Sequence, residues 1–150
     1  MKARDLFEKY QGFGIIILFI IIMLGHYAGA MPNDANTKAM VDSVRTEIEE
    51  HDIEHSEIVL RQSIWETGWY KCRHCSWKFN NMFGFRHNSW VSEDNPKGYL
   101  KFDTWQESVA YYKRWQLKRY QGGDYYDFLI DIGYAEDGDK YVTHLKSLSV

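Results

Sequence analysis

The segment Phe13–Leu24, FGIIILFIIIML, is apolar throughout apart from Gly14, and no charged residue follows it until Asp34. Such a run must be covered on every face, and a chain of 150 residues has little core to cover it with. Two export readings fit better. The strictly apolar stretch is shorter than the ~20 residues of a spanning helix and resembles the core of a signal peptide. Ala28-Gly29-Ala30 then supplies a small-x-small cleavage site, with Met31 as the new first residue. Extended through His26 and Tyr27 to Ala30, the same segment is just long enough to stay as a membrane anchor through residues 13–30. Lys2, Arg4 and Lys9 outnumber Asp5 and Glu8 ahead of it, which keeps the N-terminus in the cytoplasm and sends the rest across. An N-terminal hydrophobic helix over residues 1–30, an exported remainder and a linker at 31–36 are therefore expected.

The exported part is mildly acidic. A net charge of −3 offers no cationic footprint for nucleic acid. Aromatic residues make up 17% of the chain, enough apolar surface to offset the entropy of ordering, so disorder is excluded. Two cysteines cannot build a disulfide scaffold, and the core must hold the fold largely by itself.

Periodicity predicts a mostly α domain from residue 37 to 150. Asn33 or Asp34 can cap a first helix over Lys38–Glu50, with Met40, Val41, Val44 and Ile48 on one side. A second runs over Glu57–Glu66 and stops at Gly68. From Trp69 to Asp103 the periodicity is lost among turn signals, with Tyr99–Phe102 as a short strand. Thr104 and Glu107 form a capping box for a helix to about Tyr120. Asp124 caps Tyr125–Ile132, and a last helix covers Asp139–Leu148. The plan is helix, helix, irregular hairpin or loop lobe, then three helices: an α+β domain with little β.

Three groups of residues carry candidate chemistry. His51 and His55 stand at metal-binding spacing, but at a break between helices and with Asp52 in place of the usual glutamate base. Cys72-Arg-His-Cys75 has half the ligands of a structural zinc site, with His87 as a further candidate; after export, a disulfide or free thiols is the simpler reading. Glu66 ends a helix between Trp65 and Trp69. Low polarity there raises a carboxyl pKa, the condition for donating a proton to a glycosidic oxygen, while indole faces such as Trp69 suit sugar C–H faces. An ordinary helix-end acid beside core aromatics satisfies the same string.

Four segments in order resemble the glucosaminidase family of peptidoglycan hydrolases, glycoside hydrolase family 73. They are Gln62-Ser-Ile-Trp-Glu66-Thr67-Gly68, Asn80-Asn81-Met82-Phe83-Gly84, Tyr99–Val109, and Gly133-Tyr134-Ala135-Glu136-Asp137 with Tyr141. The resemblance covers roughly residues 50–148. It implies a lysozyme-like fold and hydrolysis of the β-1,4 bond after N-acetylglucosamine in a peptidoglycan strand, with no metal or other cofactor and no protein partner. Glu66 falls on the family's catalytic glutamate and Tyr134 on its signature cleft tyrosine; Asn81, Phe83 and Gly84 would shape the cleft floor. Many members add a second acid from the hairpin lobe. Glu93 is the first candidate for it here, then Asp94 and Asp103. Retaining, inverting and substrate-assisted routes all stay open. So do a non-catalytic glycan-binding protein of the same fold and a membrane-tethered zinc or redox module on Cys72 and Cys75.

Overall fold

The computed structural model describes residues 34–150. The apolar N-terminal segment and its export reading lie outside these residues. Among the described residues no helix is long and apolar enough to cross a membrane.

Helix α1 (Ala35–Glu50) opens on Asp34, whose carboxylate accepts from the Thr37 amide at 2.7 Å. Asp34 is one of the two caps expected, but the helix starts directly after it, three residues before Lys38 and inside the stretch expected as linker. Val41, Val44 and Ile48 repeat at helical spacing and are fully buried. Helix α2 (Ser56–Thr67) is the central element, packed between α1 and the last helix. Its buried residues include Gln62, Ser63 and Thr67 as well as Val59, Leu60 and Ile64, so it is covered on most of its circumference. The two hydroxyls among them are satisfied locally. Ser63 donates to the Leu60 carbonyl at 2.7 Å, and Thr67 to the Ser63 carbonyl at 2.6 Å. Gly68 ends the helix in the left-handed region at φ +55°.

Helix α3 (Trp105–Arg119) starts at Thr104, whose hydroxyl accepts from the Glu107 amide at 3.3 Å. The reciprocal bond of the capping box reaches one residue further back, from the Asp103 amide to Glu107. Helix α4 (Tyr125–Asp131) is capped by Asp124, and α5 (Gly138–Ser147) by Asp137. Helix α5 presents Tyr141, Val142 and Leu145 to the core and packs on α2 and α4.

Between α2 and α3 lies the lobe without periodicity. It holds two short 3-10 turns (Ser76–Phe79 and Asn88–Trp90) and two isolated β-bridges, Arg86 with Tyr99 and Ser92 with Asn95. The short strand expected at Tyr99–Phe102 does not form; the described residues contain no regular strand. Asparagine side chains take the backbone groups a strand partner would have used. Asn95 accepts from the Tyr99 amide and donates to its carbonyl, while Asn81 and Asn80 donate to the Leu100 and Phe102 carbonyls. The whole is consistent with a lysozyme-like helical arrangement, with a helical body and a small loop lobe.

Candidate active site

Glu66 is the penultimate residue of α2, and its side chain enters a cleft of about 390 Å³. Phe83, Gly84, Phe85, Arg86, Trp115, Arg119, Ile132, Tyr134, Ala135 and Glu136 complete the lining. The sequence-derived candidates Glu66, Phe83, Gly84 and Tyr134 therefore converge on one cavity from three separate parts of the chain.

The loop carrying Phe83 and Gly84 is held from beneath. The buried Asn81 donates to the carbonyls of Phe85 and Leu100 and accepts from the amide of Phe85 at 3.1 Å, tying the loop to the lobe. From the other side the Tyr134 hydroxyl donates to the Phe83 carbonyl at 2.7 Å. Gly84 adopts φ +69°, and a Cβ there would stand 2.6 Å from Glu66 Oε2. Only a residue without a side chain lets the carboxylate lie against this loop.

Aromatic rings wall the cleft. Trp115 meets Tyr134 edge-on at 5.6 Å and Phe85 at 5.6 Å, and Tyr134 stacks on Tyr141 at 5.7 Å. In this setting burial pushes the Glu66 carboxyl up from 4.5 to about 7; a hydrogen bond from Tyr141 and the fields of Arg86 and Lys97 pull the other way. Near neutral pH a large share of the Glu66 population holds a proton.

Tyr141 belongs to a buried chain of hydrogen bonds. Gln116 accepts from the Glu54 amide at 3.0 Å and donates to the Tyr125 hydroxyl at 2.9 Å. The hydroxyls of Tyr125 and Tyr112 are 2.7 Å apart. Tyr112 donates to Gln62 at 2.6 Å, and Gln62 donates to Tyr141 at 3.4 Å. Gln62 lies four residues before Glu66, one turn earlier on the same face of α2.

Other candidates lie elsewhere. Trp69 packs on the hydrophobic core and is absent from the cleft lining, because the left-handed backbone after Gly68 turns it away. Glu93 is exposed on the turn closed by Ser92 and Asn95 and does not reach the cleft. Asp94 is held by Ser92 and Lys101, and Asp103 sits at the start of α3. The second carboxylate lining the cleft is Glu136, inside the Gly133–Asp137 segment but overlooked beside Tyr134. Phe85, Arg86, Trp115 and Arg119 were also missed; only their position in the fold brings them together.

The metal candidates are otherwise engaged. His51 faces Glu47 at 3.3 Å, while His55 bonds the Tyr120 hydroxyl at 2.7 Å and stacks on Tyr125. His87 bonds Ser89. Cys72 and Cys75 are free thiols, and burial pushes Cys75 up to about 11, far from thiolate reactivity. Among the described residues no three His, Cys, Asp or Glu side chains converge as metal ligands.

A carboxyl raised toward neutral pH in an aromatic-walled cleft is chemically suited to give a proton to a glycosidic oxygen. Residues 41–149 match the family model for mannosyl-glycoprotein endo-beta-N-acetylglucosaminidase. The chain belongs to this glucosaminidase family and so to the glycosidases, with a peptidoglycan-type glycan as its class of substrate. Comparison with curated proteins and with solved structures gave no significant match.

Proposed function

We propose that the chain hydrolyses the β-1,4 bond after N-acetylglucosamine in peptidoglycan, with Glu66 as general acid. The observation that carries this reading is the Glu66 carboxyl itself, raised to about 7 in a cleft walled by Trp115, Phe85 and Tyr134. The Glu66 proton passes to the glycosidic oxygen as the bond from that oxygen to the anomeric carbon breaks. A water adds to the anomeric carbon and gives its proton to Glu136, the other carboxylate of the lining. Proton return from Glu136 through solvent to Glu66 resets the site. Tyr134 positions both the sugar and the Phe83–Gly84 loop. Residues 13–30 carry the domain out of the cytoplasm, as a cleaved leader or as an anchor to the membrane.

The test is digestion of purified peptidoglycan by the full chain in detergent, wild type beside Glu66→Gln, with mass analysis of the reduced fragments. New N-acetylglucosamine reducing ends made only by the wild type are the expected result. New N-acetylmuramic acid ends would keep the acid and change the bond. Binding by both chains without turnover by either would replace catalysis with glycan binding.

A further inference from the structure

Two cationic side chains face the same cleft as Glu66 and have no part in the proton transfers. Arg86 comes from the loop lobe and Arg119 from the last turn of α3. Among the described residues neither has a carboxylate within 4.0 Å. Exposed arginines are ordinarily just solvated, but these two differ in where they stand. Arg86 is oriented by Tyr99: its guanidinium lies 5.0 Å from the ring centroid and donates to the hydroxyl at 3.4 Å. With Glu66 protonated, the charged groups lining the cleft are Arg86 and Arg119 against Glu136 alone. A chain of net charge −3 thus has a cationic cleft, opposite in sign to the molecule as a whole.

A polymer of N-acetylglucosamine is neutral and would leave both guanidiniums unmatched. The strand of peptidoglycan carries carboxylates, on the peptide stems or, where these are absent, on the lactyl ether of the muramic sugar. We propose that Arg86 and Arg119 form a carboxylate-recognition site in the cleft, which selects glycan strands bearing acidic substituents over neutral ones. This rests on the glycan-hydrolase reading and specifies its substrate. Planar guanidiniums suit the task because they pair with carboxylates in bidentate geometry.

The test measures binding and turnover separately. Full-length Glu66→Gln chain in detergent is titrated with solubilised peptidoglycan strands and with the same strands after their carboxylates are converted to amides. The acidic strands are expected to bind at least about tenfold more tightly, with the difference shrinking as salt is raised. Adding Arg86→Gln and Arg119→Gln should abolish that preference, while Arg119→Lys restores part of it. Equal binding of acidic and amidated strands overturns the proposal, as does a preference that survives the double substitution. Strands stripped of peptide expose the lactyl carboxylate in its place: binding as tight as intact strands shows that a carboxylate at either position fills the site, binding like amidated strands confines the contact to the peptide stem. Wild-type turnover is scored alongside. A preference in binding without turnover removes the hydrolase reading and leaves carboxylate recognition standing.

Discussion

The carboxylate of Glu66 lies against Gly84, so close that a methyl group on residue 84 would stand 2.6 Å from Oε2. Acid and loop are far apart in sequence, yet they pack directly against each other. Gly84→Ala is therefore expected to act twice. The left-handed backbone at φ +69° adds about 1–2 kcal/mol of strain, and the displaced carboxyl loses its alignment. Turnover of glycan strands should fall by roughly a hundredfold, more than the lowered melting temperature accounts for. Melting curves and steady-state rates on the same preparation check this.

Glu66 sets a pH dependence for both activity and stability. As general acid it must hold its proton, so kcat/KM should fall about tenfold per pH unit above about 7. Its folded pKa lies above its unfolded one, so the folded state binds the proton more tightly. Stability associated with this group is full below about 4.5 and is lost as pH rises through about 7. Glu66→Gln should be inactive yet more stable than wild type at pH 8, by at most roughly 3 kcal/mol. Urea unfolding of both chains at pH 5 and pH 8 gives the comparison.

Tyr141→Phe removes a hydrogen bond that favours ionised Glu66. The alkaline limb of the pH profile should move to higher pH, which loss of packing alone would not cause. Stability should drop by about 1 kcal/mol, since Gln62 loses its acceptor. An unshifted limb would show that Tyr141 does not reach the acid in solution.

Glu136→Gln should lower kcat by about a hundredfold with little change in KM, as expected for the loss of a general base. Full activity in Glu136→Gln would point instead to attack by the substrate's own N-acetyl group. Loss of turnover in Glu93→Gln but not in Glu136→Gln would return the second acid to the loop lobe.

The helices were legible because their signals are local. Asp34, Thr104 and Asp124 are caps, Gly68 is a stop, and Val41, Val44 and Ile48 mark a buried face. The lobe was not, because Asn80, Asn81 and Asn95 replace ladder bonds with side-chain bonds, those of Asn80 and Asn81 to residues well along the chain. At the site, the family resemblance picked out Glu66, Gly84 and Tyr134, which the fold gathers. Glu93 looked apt from its place in the lobe, but whether a turn points toward a cleft depends on three-dimensional closure. Trp115 and Arg119 carry no mark at all: on α3 they read as ordinary members of an amphipathic helix.

The buried chain of amides and phenols that ends at Glu66 has a direction. At its far end the Glu54 amide can only donate, which fixes how Gln116 must sit and obliges Tyr125 to accept from it. Each hydroxyl then has its one hydrogen to pass onward, Tyr125 to Tyr112 and Tyr112 to the Gln62 carbonyl; Gln62 gives one of its two amide hydrogens to Tyr141, whose own is left for the acid. One oxygen of Glu66 is thereby occupied as an acceptor. On the proposed mechanism, the proton is then carried by the other oxygen. On the same mechanism, the polarity of the Glu54 N–H, relayed across the core, leaves the Tyr141 hydroxyl as a donor toward the acid rather than an acceptor from it.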